Sequence, residues 1–584
     1  MAARIRREDD NLYDLPVGAN VTKSNAVYIN NGNYRVEPGD NRRAYTSHKK
    51  ICIGVIQIDS NGNPTKRMYA NTNYYQLFNR QRLPEPPKWA DSLSVGPRLL
   101  TESISDEYDL ITILVEVFGS EATSLIMDLA TYMLVEEKAV FQHYPTWARR
   151  HVLYSNTIRS DSYISEFLGN EISFSKIDLF KCKWASRHLG SGKVYFCYDS
   201  TNTNCQAEGV FLVQKGHAKD DPTLMQVNTD YVVRQEDGLP FTFMEFPGSI
   251  VDVTEASEMI TFLKRLSEEK PVKITLICDR GYISEENIIA FDSAGIDFLL
   301  MLKSNMNDHQ KILEKHAHEV KNNYSCYIEE FDEFGKTIES TLFASNTKRY
   351  FHLIWNQNLE GKHRARLLKA IKNKKTEIQK AINRKTKYTE DQLKPMRQWF
   401  FLTTEAAGTI KVKAKGKEKY KEVPAYVITD MDENHEAITV GLNECGFYLL
   451  VTSEKMSVNE ARAAYSKRDC VEKVFQALKS SLGMDQIGVG SDDNLQGKSL
   501  IWFVAAILHS VLFINTRSLR LKDKKSYTVP AEIDKLDAIV ADRNISTSKY
   551  SRRYALDKKQ NDIFNACGLS LARLDEIIKA LSLR

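Results

Sequence analysis

Apolar and polar positions follow different patterns in successive parts of the chain. Residues 1–105 mix short β-like runs with turn residues, and ICIGVIQID (51–59) followed by SNGNP predicts a strand and a tight turn. From residue 106 to 190, apolar residues recur at helical spacing and predict a helical region. Between 191 and 305, predicted strands alternate with predicted helices, which indicates an α/β layer with a largely buried sheet.

Two acidic residues follow apolar runs in this alternating part. KVYFCYDST (193–201) and PVKITLICDRGY (271–282) are predicted strands that end at Asp199 and Asp279. Ser284 then predicts the cap of a helix with an acidic first turn. Open α/β sheets place functional groups at the ends of their strands, so both acids are candidate functional residues. A turn aspartate explains either residue alone equally well.

The alternation of predicted strands and helices stops between 306 and 455, where a charged helical stretch precedes the predicted strands AYVITD, AITVGLN and GFYLLVTS. The whole chain has 80 basic and 76 acidic residues, but residues 362–397 hold 13 Lys or Arg against three acids. Six lysines then alternate over 411–421, Lys411, Lys413 and Lys415 among them, and this spacing predicts all six on one side of an extended strand or arm. Clustered basic residues favour phosphate neutralisation on DNA over a plain solvated face.

A single helix is predicted over SVNEARAAYSKRDCVEKVFQALKSSLG, from residue 457 onward. Because each residue advances about 100°, Tyr465, Arg468, Glu472 and Lys479 fall within about 60° on one face. One stripe thus presents a carboxylate beside two cations and a phenol. Asp469 lies only about 60° from Glu472, so helix geometry alone leaves two candidate carboxylates.

Three carboxylates together suit a hard divalent cation. Mg²⁺ takes oxygen ligands and keeps several waters, and Mn²⁺ accepts the same donors. Two such ions about 4 Å apart would activate a nucleophile and stabilise the leaving oxygen of a phosphodiester. Arg468 and Lys479 would then hold phosphates beside the metal site.

Composition argues against several other classes of protein. Nine cysteines without a CxxC pair argue against a structural zinc site and for reduced thiols. The most apolar run, SLIWFVAAILHSVLFI (499–514), is shorter than the roughly 20 residues of a membrane span, and His509 interrupts it. A buried core helix is therefore predicted, and no membrane partner.

The sequence resembles the DDE insertion-sequence transposases of bacteria, in the group marked by a Tyr-x2-Arg-x3-Glu-x6-Lys (YREK) signature. YSKRDCVEKVFQALK carries all four signature residues. YDSTN is similar to the first-aspartate strand of that group, and CDRGY is similar to its second-aspartate motif. The resemblance covers residues 110–515.

This resemblance implies an RNase H-like catalytic domain, in which a mixed sheet flanked by helices is interrupted by a β-rich insertion. It implies that Asp199, Asp279 and Glu472 are the catalytic metal ligands and bind two Mg²⁺ ions, with Mn²⁺ able to replace them. By this analogy Glu472, and not Asp469, is the third carboxylate.

The resemblance also implies the partners of the protein. These are the double-stranded transposon ends and the target DNA, bound by a homodimer in a synaptic complex, in the bacterial cytoplasm at the nucleoid. Tyr465, Arg468 and Lys479 would contact DNA phosphates near the cut. Lys303, after a third predicted strand, is a further candidate DNA contact. Tyr448, in the strand before the signature helix, is a candidate for stacking on a flipped base.

Pattern and resemblance together predict the following regions: an N-terminal DNA-binding region (1–105), a helical region (106–190), two parts of the catalytic core (191–305 and 456–515), a basic insertion with β-strands (306–455), and a C-terminal helical region (516–584). The predicted function is metal-dependent cleavage at transposon ends and strand transfer into target DNA. Two alternatives stay open. One is an RNase H-like nuclease that does not join DNA, and the other is a catalytically inactive DNA-binding derivative.

Overall fold

The computed structural model divides the chain into two compact units. The first comprises Met1–Asp91 with Asn544–Thr547, and the second comprises Ser92–Arg543 with Ser548–Arg584. The residues described are 11–30, 34–35, 44–45, 50–78, 91–205, 207, 209–216, 224–250, 252–343, 345–413, 420–485, 487–544 and 547–583.

In the first unit, a five-stranded antiparallel sheet packs against a short helix. Its elements are β1 (Leu12–Asp14), β2 (Asn20–Val21), β3 (Ala26–Asn30), the separate pair β4 (Tyr34–Arg35) and β5 (Ala44–Tyr45), β6 (Lys50–Ile58), β7 (Pro64–Ala70) and α1 (Thr72–Leu77). The strand order is β1-β7-β6-β3-β2. The predicted strand 51–59 is confirmed as β6. The Asp59 side chain accepts hydrogen bonds from the Asn61 and Asn63 amides and closes the predicted turn.

The second unit contains all the later elements. Its strands are β8 (Ser92–Ser94), β9 (Gly192–Asn204), β10 (Gln214–Lys215), β11 (Met225–Arg234), β12 (Pro240–Pro247), β13 (Val272–Cys278), β14 (Asp297–Met301), β15 (Tyr327–Ile328), β16 (Glu333–Thr341), β17 (Lys348–Trp355), β18 (Lys387–Tyr388), β19 (Phe400–Lys413), β20 (Tyr420–Glu433), β21 (Phe447–Thr452), β22 (Val540–Arg543) and β23 (Tyr550–Arg552). Its helices are α2 (Gly96–Glu107), α3 (Leu110–Phe118), α4 (Ser120–Glu136), α5 (Tyr144–Ala148), α6 (Asp161–Asn170), α7 (Phe174–His188), α8 (Asp252–Glu269), α9 (Glu285–Ala294), α10 (Asn307–Val320), α11 (Gln357–Arg384), α12 (Glu390–Arg397), α13 (His435–Asn443), α14 (Val458–Ser466), α15 (Asp469–Ser481), α16 (Asp492–Asn515), α17 (Arg517–Lys522), α18 (Val529–Asp537), α19 (Lys558–Ala566) and α20 (Leu571–Leu581).

A ten-stranded mixed sheet forms the centre of the second unit in the part of the chain described. Its order is β12-β11-β9-β13-β14-β21-β17-β16-β15, with β10 pairing to the start of β11. β13 pairs in parallel with both β9 and β14, and the other pairings are antiparallel. The predicted mixed α/β class is therefore confirmed.

Side chains of the sheet alternate between two apolar cores. Cys197 of β9 and Ile277 of β13 pack in the core that contains α15 and α16. The next residues, Tyr198 and Cys278, pack in the opposite core, which contains α8 and α9. This alternation follows from the two-residue period of a strand, and both faces of the central strands are therefore covered by helices.

Helix α16 crosses the interior of the second unit, as predicted for residues 499–514. Among the described residues it is the one helix long and apolar enough to cross a membrane, and its most apolar window is 89% buried inside the protein. Ser491 caps the helix by accepting a hydrogen bond from the Asn494 amide at 3.2 Å. The Trp502 indole donates to the Leu482 carbonyl at 3.0 Å, which ties α16 to the end of α15.

A separate lobe interrupts the sheet between β17 and β21. The strands β18, β20 and β19 form a small antiparallel sheet, and α11 and α12 pack on it around Ile371, Ile378 and Leu393. The predicted insertion 306–455 therefore has two parts. Residues 357–443 form the lobe, whereas β15, β16, β17 and β21 extend the central sheet.

Two predictions within the lobe are wrong. AITVGLN is helix α13 and not a strand, because Asn434 caps it by accepting a hydrogen bond from the Ala437 amide at 3.1 Å. The lysines of 411–421 do not share one side of a single strand, because the chain reverses between β19 and β20. Lys411 is opposite Glu422, while Lys421 is opposite Val412, so the two lysines lie on opposite faces of the hairpin.

The two ends of the second unit meet. β8, at its start, pairs with β22, near its end, and the Ser94 hydroxyl donates to the Asp537 carboxylate at 2.7 Å. Helix α2 packs against α3, α4 and α18, so the second unit begins at Ser92, ahead of the boundary predicted at 105. Residues 516–584 contain α17 to α20, with the short strands β22 and β23 between α18 and α19.

Candidate active site

Two acidic residues are neighbours at the centre of the large sheet. The parallel pairing of β9 with β13 ends at Tyr198 and Cys278, so Asp199 and Asp279 are the next residues on adjacent strands. Because each lies two residues after a side chain of the α15 core, both face α15. Asp279 follows the end of β13, as predicted. The predicted strand end near Asp199 is wrong, since pairing with β11 continues β9 to Asn204.

Local hydrogen bonds fix the backbone around both carboxylates. Asp199 accepts a hydrogen bond from the Ser200 amide at 2.9 Å, and Asp279 accepts one from the Arg280 amide at 2.7 Å. Asp279 caps a single helical turn, Arg280–Tyr282. The Tyr282 ring is buried with its centroid 4.7 Å from that of Tyr198, which anchors this turn to the sheet.

The predicted single helix from residue 457 is wrong as one element, because it is divided into α14 and α15. Between them, the Arg468 amide donates to the Tyr465 carbonyl at 3.1 Å, and the Val471 amide donates to the Arg468 carbonyl at 3.2 Å. These bonds span three residues, as in a 3₁₀ turn, and not the four of an α-helix. The tighter turn changes the rotation of α15 relative to α14, so the angles predicted for one continuous helix do not apply.

Arg468 connects α15 to the sheet. Its guanidinium donates to the Asp199 carboxylate at 2.9 Å and to the Glu472 carboxylate. The Arg468 and Asp199 side chains are 14% and 16% exposed, whereas that of Glu472 is 56% exposed. The planar guanidinium therefore joins a deep carboxylate to one at the solvent edge.

Tyr465 completes this group from the last turn of α14. Its hydroxyl donates to the Asp279 carboxylate at 3.4 Å. Burial and the adjacent Asp279 carboxylate raise the pKa of the Tyr465 phenol, which keeps it a neutral donor. Burial acts to lower the pKa of the Arg468 guanidinium. The neighbouring Tyr465, Asp199 and Asp279 have the larger, opposite effect, and the pKa is raised above its usual range. Two of the four signature residues, Tyr465 and Arg468, thus contact the aspartates, and Glu472 is joined to Asp199 through Arg468.

A pocket of about 410 Å³ opens beside the two aspartates. Its walls are the turn after β13 and the residues after β14, Lys303, Ser304 and Asn305. Lys303 therefore lies where the sequence predicted it, in the same pocket as Asp199 and Asp279.

Sequence analysis missed three residues of this pocket. Arg280, Ser304 and Asn305 line it together with the aspartates. The signal available was position, since each closely follows a predicted strand whose end faces the site. The sequence patterns assign none of them a role, although Arg280 lies within the CDRGY motif.

Tyr448 lies in a different environment, on β21. Its hydroxyl donates to the Glu333 carboxylate at 2.9 Å, and Arg462 of α14 donates to the same carboxylate at 2.6 Å. Asn356 donates to Glu333 as well, at 2.8 Å. This network holds Tyr448 against α14, and its stacking on a flipped base stays a prediction.

The remaining predicted DNA contacts are lysines that do not line the pocket beside the aspartates among the residues described. Lys479 is half-buried on α15, two turns beyond Glu472. Lys411 is exposed on β19 in the lobe, and Lys413 is the last residue of that strand. Lys415 lies outside the described residues. The structure therefore distributes the basic candidates over the lobe and α15.

The three predicted metal ligands are not gathered around one point. Among the described residues, no group of three or more His, Cys, Asp or Glu side chains is placed to hold a metal ion. The Arg468 guanidinium stands between the carboxylates of Asp199 and Glu472. Asp199 and Asp279 nonetheless offer oxygen donors at one pocket, the donor type that Mg²⁺ takes. These residues fit a divalent cation if Glu472 leaves its ion pair with Arg468 and coordinates the ion instead.

Comparisons with known proteins add three findings. A family model described as Transposase DDE domain matches residues 191–508, more than half of the chain, and this range includes Asp199, Asp279 and Glu472. No curated protein matches the sequence. Among solved structures, the chain is similar to the cryo-EM structure of a piggyBac transposase synaptic complex with hairpin DNA. The identity is 8% and the TM-score is 0.35, over 83% of this chain and 85% of that one.

Proposed function

The chain belongs to the family of the transposase DDE domain, and from this premise we propose that it is a cut-and-paste DNA transposase. It would cut DNA at the ends of a mobile element and join the freed strands to target DNA. The observation that carries the proposal is the placement of Asp199 and Asp279 side by side, facing the helix that bears Arg468 and Glu472. The signature residues support membership of the YREK group of bacterial insertion sequences.

The strand order supports an RNase H-like catalytic domain. Three antiparallel strands, β12, β11 and β9, are followed by the parallel strands β13 and β14. A mixed sheet flanked by helices agrees with the RNase H-like fold that the resemblance implies. Asp199 on β9 and Asp279 after β13 belong to two adjacent parallel strands of this sheet.

We propose that Asp199, Asp279 and Glu472 hold two Mg²⁺ ions, which Mn²⁺ can replace. When bound, these ions would supply Lewis-acid stabilisation to a phosphodiester. The protein contributes positioning: the Tyr465 hydroxyl orients Asp279, and the Arg468 guanidinium carries the charge and planar geometry to hold a phosphate once it leaves Glu472.

Helix α11 offers a surface for the DNA backbone. Five exposed basic residues share one face within about 60°, and none has an ion-pair partner among the described residues: Lys362, Arg366, Lys369, Lys380 and Arg384. Unpaired cations in a stripe neutralise phosphates without the cost of breaking ion pairs. We propose that this stripe, extended by Lys411, Lys413 and Lys415, binds DNA next to the catalytic core.

The partners follow from the proposed reaction. Transposon ends and target DNA are its substrates, and by analogy with the YREK group two copies of the chain would hold the ends in a synaptic complex. Recognition of the end sequence is assigned to residues 1–105. The protein would act in the bacterial cytoplasm, at the nucleoid.

Cleavage and joining of labelled DNA test the proposed function. The substrate is a duplex with the terminal sequences that flank the gene, incubated with Mg²⁺ and a supercoiled target plasmid. Wild type should cut at the ends and join them to the plasmid. Asp279→Asn should lower both activities by at least about a thousandfold, because the amide is a poor ligand for the Mg²⁺ ions that the aspartate is proposed to hold.

The product pattern separates the alternatives. Cutting without joining would identify an RNase H-like nuclease. Tight end binding without cutting by wild type would identify an inactive DNA-binding derivative. Equal cutting by wild type and Asp279→Asn would show that the assigned site is wrong.

A further inference from the structure

A second pocket, of about 620 Å³, lies between α6, the end of β9 and the first turns of α16. It shares no lining residue with the pocket beside Asp199 and Asp279 in the part of the chain described. The two helices that form its walls approach closely at Gly497, where a Cβ atom would lie 2.5 Å from the Leu168 carbonyl oxygen. This wall of the pocket is therefore closely packed.

Lys498 of α16 lines this pocket and is 3% exposed. Its ammonium lies 5.4 Å from the centroid of the Phe141 ring and 4.9 Å from that of Trp502. Among the described residues it has no carboxylate or carbonyl partner. Burial lowers the pKa of Lys498 to about 8, and the neighbouring Cys205 thiol opposes that effect.

A buried lysine with no counter-ion in the described part of the chain indicates that an anion completes the site. Burial of an unpaired charge is unfavourable, and two aromatic faces compensate for only part of the lost hydration. The ammonium still has its N–H donors available for a ligand, and Asn204 and Asn494 bring amide groups to the same space. Phosphate is the anion that such a set of donors binds well.

The rest of the pocket indicates what carries the phosphate. Leu168, Ile487 and Val489 give it apolar walls, and Phe141 contributes an aromatic ring. The volume is within the range of roughly 300–1,000 Å³ that is usual for small-molecule sites. We propose that this pocket binds a nucleotide, with its phosphate at Lys498 and its base against the apolar walls.

The nucleotide is either free in solution or part of a bound DNA strand. The choice of a nucleotide, among the phosphate esters that the pocket could hold, rests on the proposed function. The binding of a phosphate at Lys498 does not depend on that function. Among the described lining residues, the other titratable side chains are Cys205, which is buried, and Asp485, which is exposed at the mouth. Asp485 is therefore solvated and does not serve as the counter-ion of Lys498.

Isothermal titration calorimetry of the full-length protein with deoxyadenosine monophosphate tests this site. Measured at about pH 8.5 in two buffers of different ionisation enthalpy, binding should be accompanied by proton uptake. The reason is that a phosphate favours the charged form of Lys498, which is partly neutral without a ligand. The uptake is measured on wild type, so it does not depend on the folding of a variant.

Lys498→Met should weaken binding at least about tenfold and abolish the proton uptake. Methionine matches the unbranched four-atom stem of the lysine side chain without its ammonium group, so circular dichroism should show an unchanged fold. Lys181→Met is the matched control, because Lys181 is also buried but donates to the Phe243 carbonyl at 3.3 Å. The Lys181→Met variant should bind deoxyadenosine monophosphate with the same affinity as wild type.

Titrations with further ligands test which part of the nucleotide is recognised and where the nucleotide comes from. Deoxyadenosine should bind wild type and Lys498→Met alike, since it lacks the phosphate. A 5′-phosphorylated oligonucleotide that binds more tightly than the mononucleotide, with the same dependence on Lys498, would identify DNA as the source. Equal affinity of wild type and Lys498→Met, absence of proton uptake, or equally tight binding of inorganic phosphate would overturn the proposal. Asp279→Asn should still bind, which separates this result from a failure of the proposed function.

Discussion

At the residue scale, Arg468 organises the candidate active site. It joins Asp199 on the sheet to Glu472 on α15, so these two carboxylates belong to one group. Helical periodicity alone left Asp469 as an alternative to Glu472. In the structure Asp469 instead pairs with Lys473 at 2.8 Å, and both side chains are 54% exposed. An exposed pair of this kind contributes little to stability and has no contact with the aspartates.

Glu472→Gln should reduce Mg²⁺-dependent cleavage by at least about a hundredfold and change the affinity for transposon-end DNA less than threefold. The amide keeps the shape of the side chain and its hydrogen bond to Arg468, but it is a poor ligand for a hard cation. Cleavage assays and fluorescence anisotropy measure the two effects.

Asp469→Asn is the control for this variant, because it removes an acid three residues away on the same helix. It should cleave at the wild-type rate. If Asp469→Asn loses cleavage and Glu472→Gln does not, Asp469 is the third carboxylate.

Among the secondary-structure elements, helix α11 carries two kinds of basic residue: those with an acidic partner and those without one among the described residues. Lys374 and Lys375 are neutralised by Glu377 and Glu433, each at 2.6 Å. Arg366 belongs to the face that has no acidic partner among the described residues. Charge composition alone could not distinguish these sets, since the acid that pairs with Lys375 lies in β20, far along the chain.

Replacement of two stripe residues, Arg366→Gln with Lys369→Gln, should weaken DNA binding and flatten its salt dependence. Each lost phosphate contact lowers the slope of log affinity against log salt by about 0.9, so two contacts should lower it by close to 2. Anisotropy titrations between low and moderate salt measure this slope.

The matched control changes the same number of charges on the same helix. Lys374→Gln with Lys375→Gln removes lysines that already have acidic partners, so the slope should change by less than half as much. Equal slopes for both double variants would mean that general charge, and not the stripe, determines DNA affinity.

At the scale of the whole molecule, the cores of the second unit bury titratable groups that make stability depend on pH. Burial lowers the pKa of His309 and of His352 from 6.5 to about 4. Both rings therefore stay neutral in the folded state, while the unfolded chain takes up protons below about pH 6.5. Their contribution to stability is present above that pH and is lost as the pH falls towards 4.

His309→Gln should reduce this acid sensitivity. Wild type should lose up to about 3 kcal/mol of unfolding free energy per buried histidine between pH 6.5 and 4. The variant should therefore show a shallower fall of Tm over this range by differential scanning fluorimetry. His435→Gln is the control, since its side chain is 82% exposed and similarly solvated in both states. An identical pH profile for wild type and His309→Gln would contradict the assignment.

Local patterns predicted the elements whose signals are contained within a few neighbouring residues. The strand at β6 with its Asp59 turn, the Ser284 cap of α9 and the core helix α16 are all confirmed. α13 was mistaken for a strand because its β-branched residues suggested one, while the Asn434 cap and its packing in the lobe determined a helix. The division between α14 and α15 was missed, since 3₁₀ hydrogen bonds leave the spacing of apolar residues almost unchanged.

The mixed α/β class could be predicted from the sequence alone, as could the association of Asp199 and Asp279 with apolar strands and the helical residues that accompany them. These features depend on periodicity and on motifs, which are properties of neighbouring residues. The tertiary fold makes β9 and β13 parallel neighbours in register, and this brings the two aspartates together. It also brings Arg468 to Asp199, 269 positions away, and it buries Lys498 with no counter-ion among the described residues. Such contacts depend on strand order and helix docking, which no local pattern specifies.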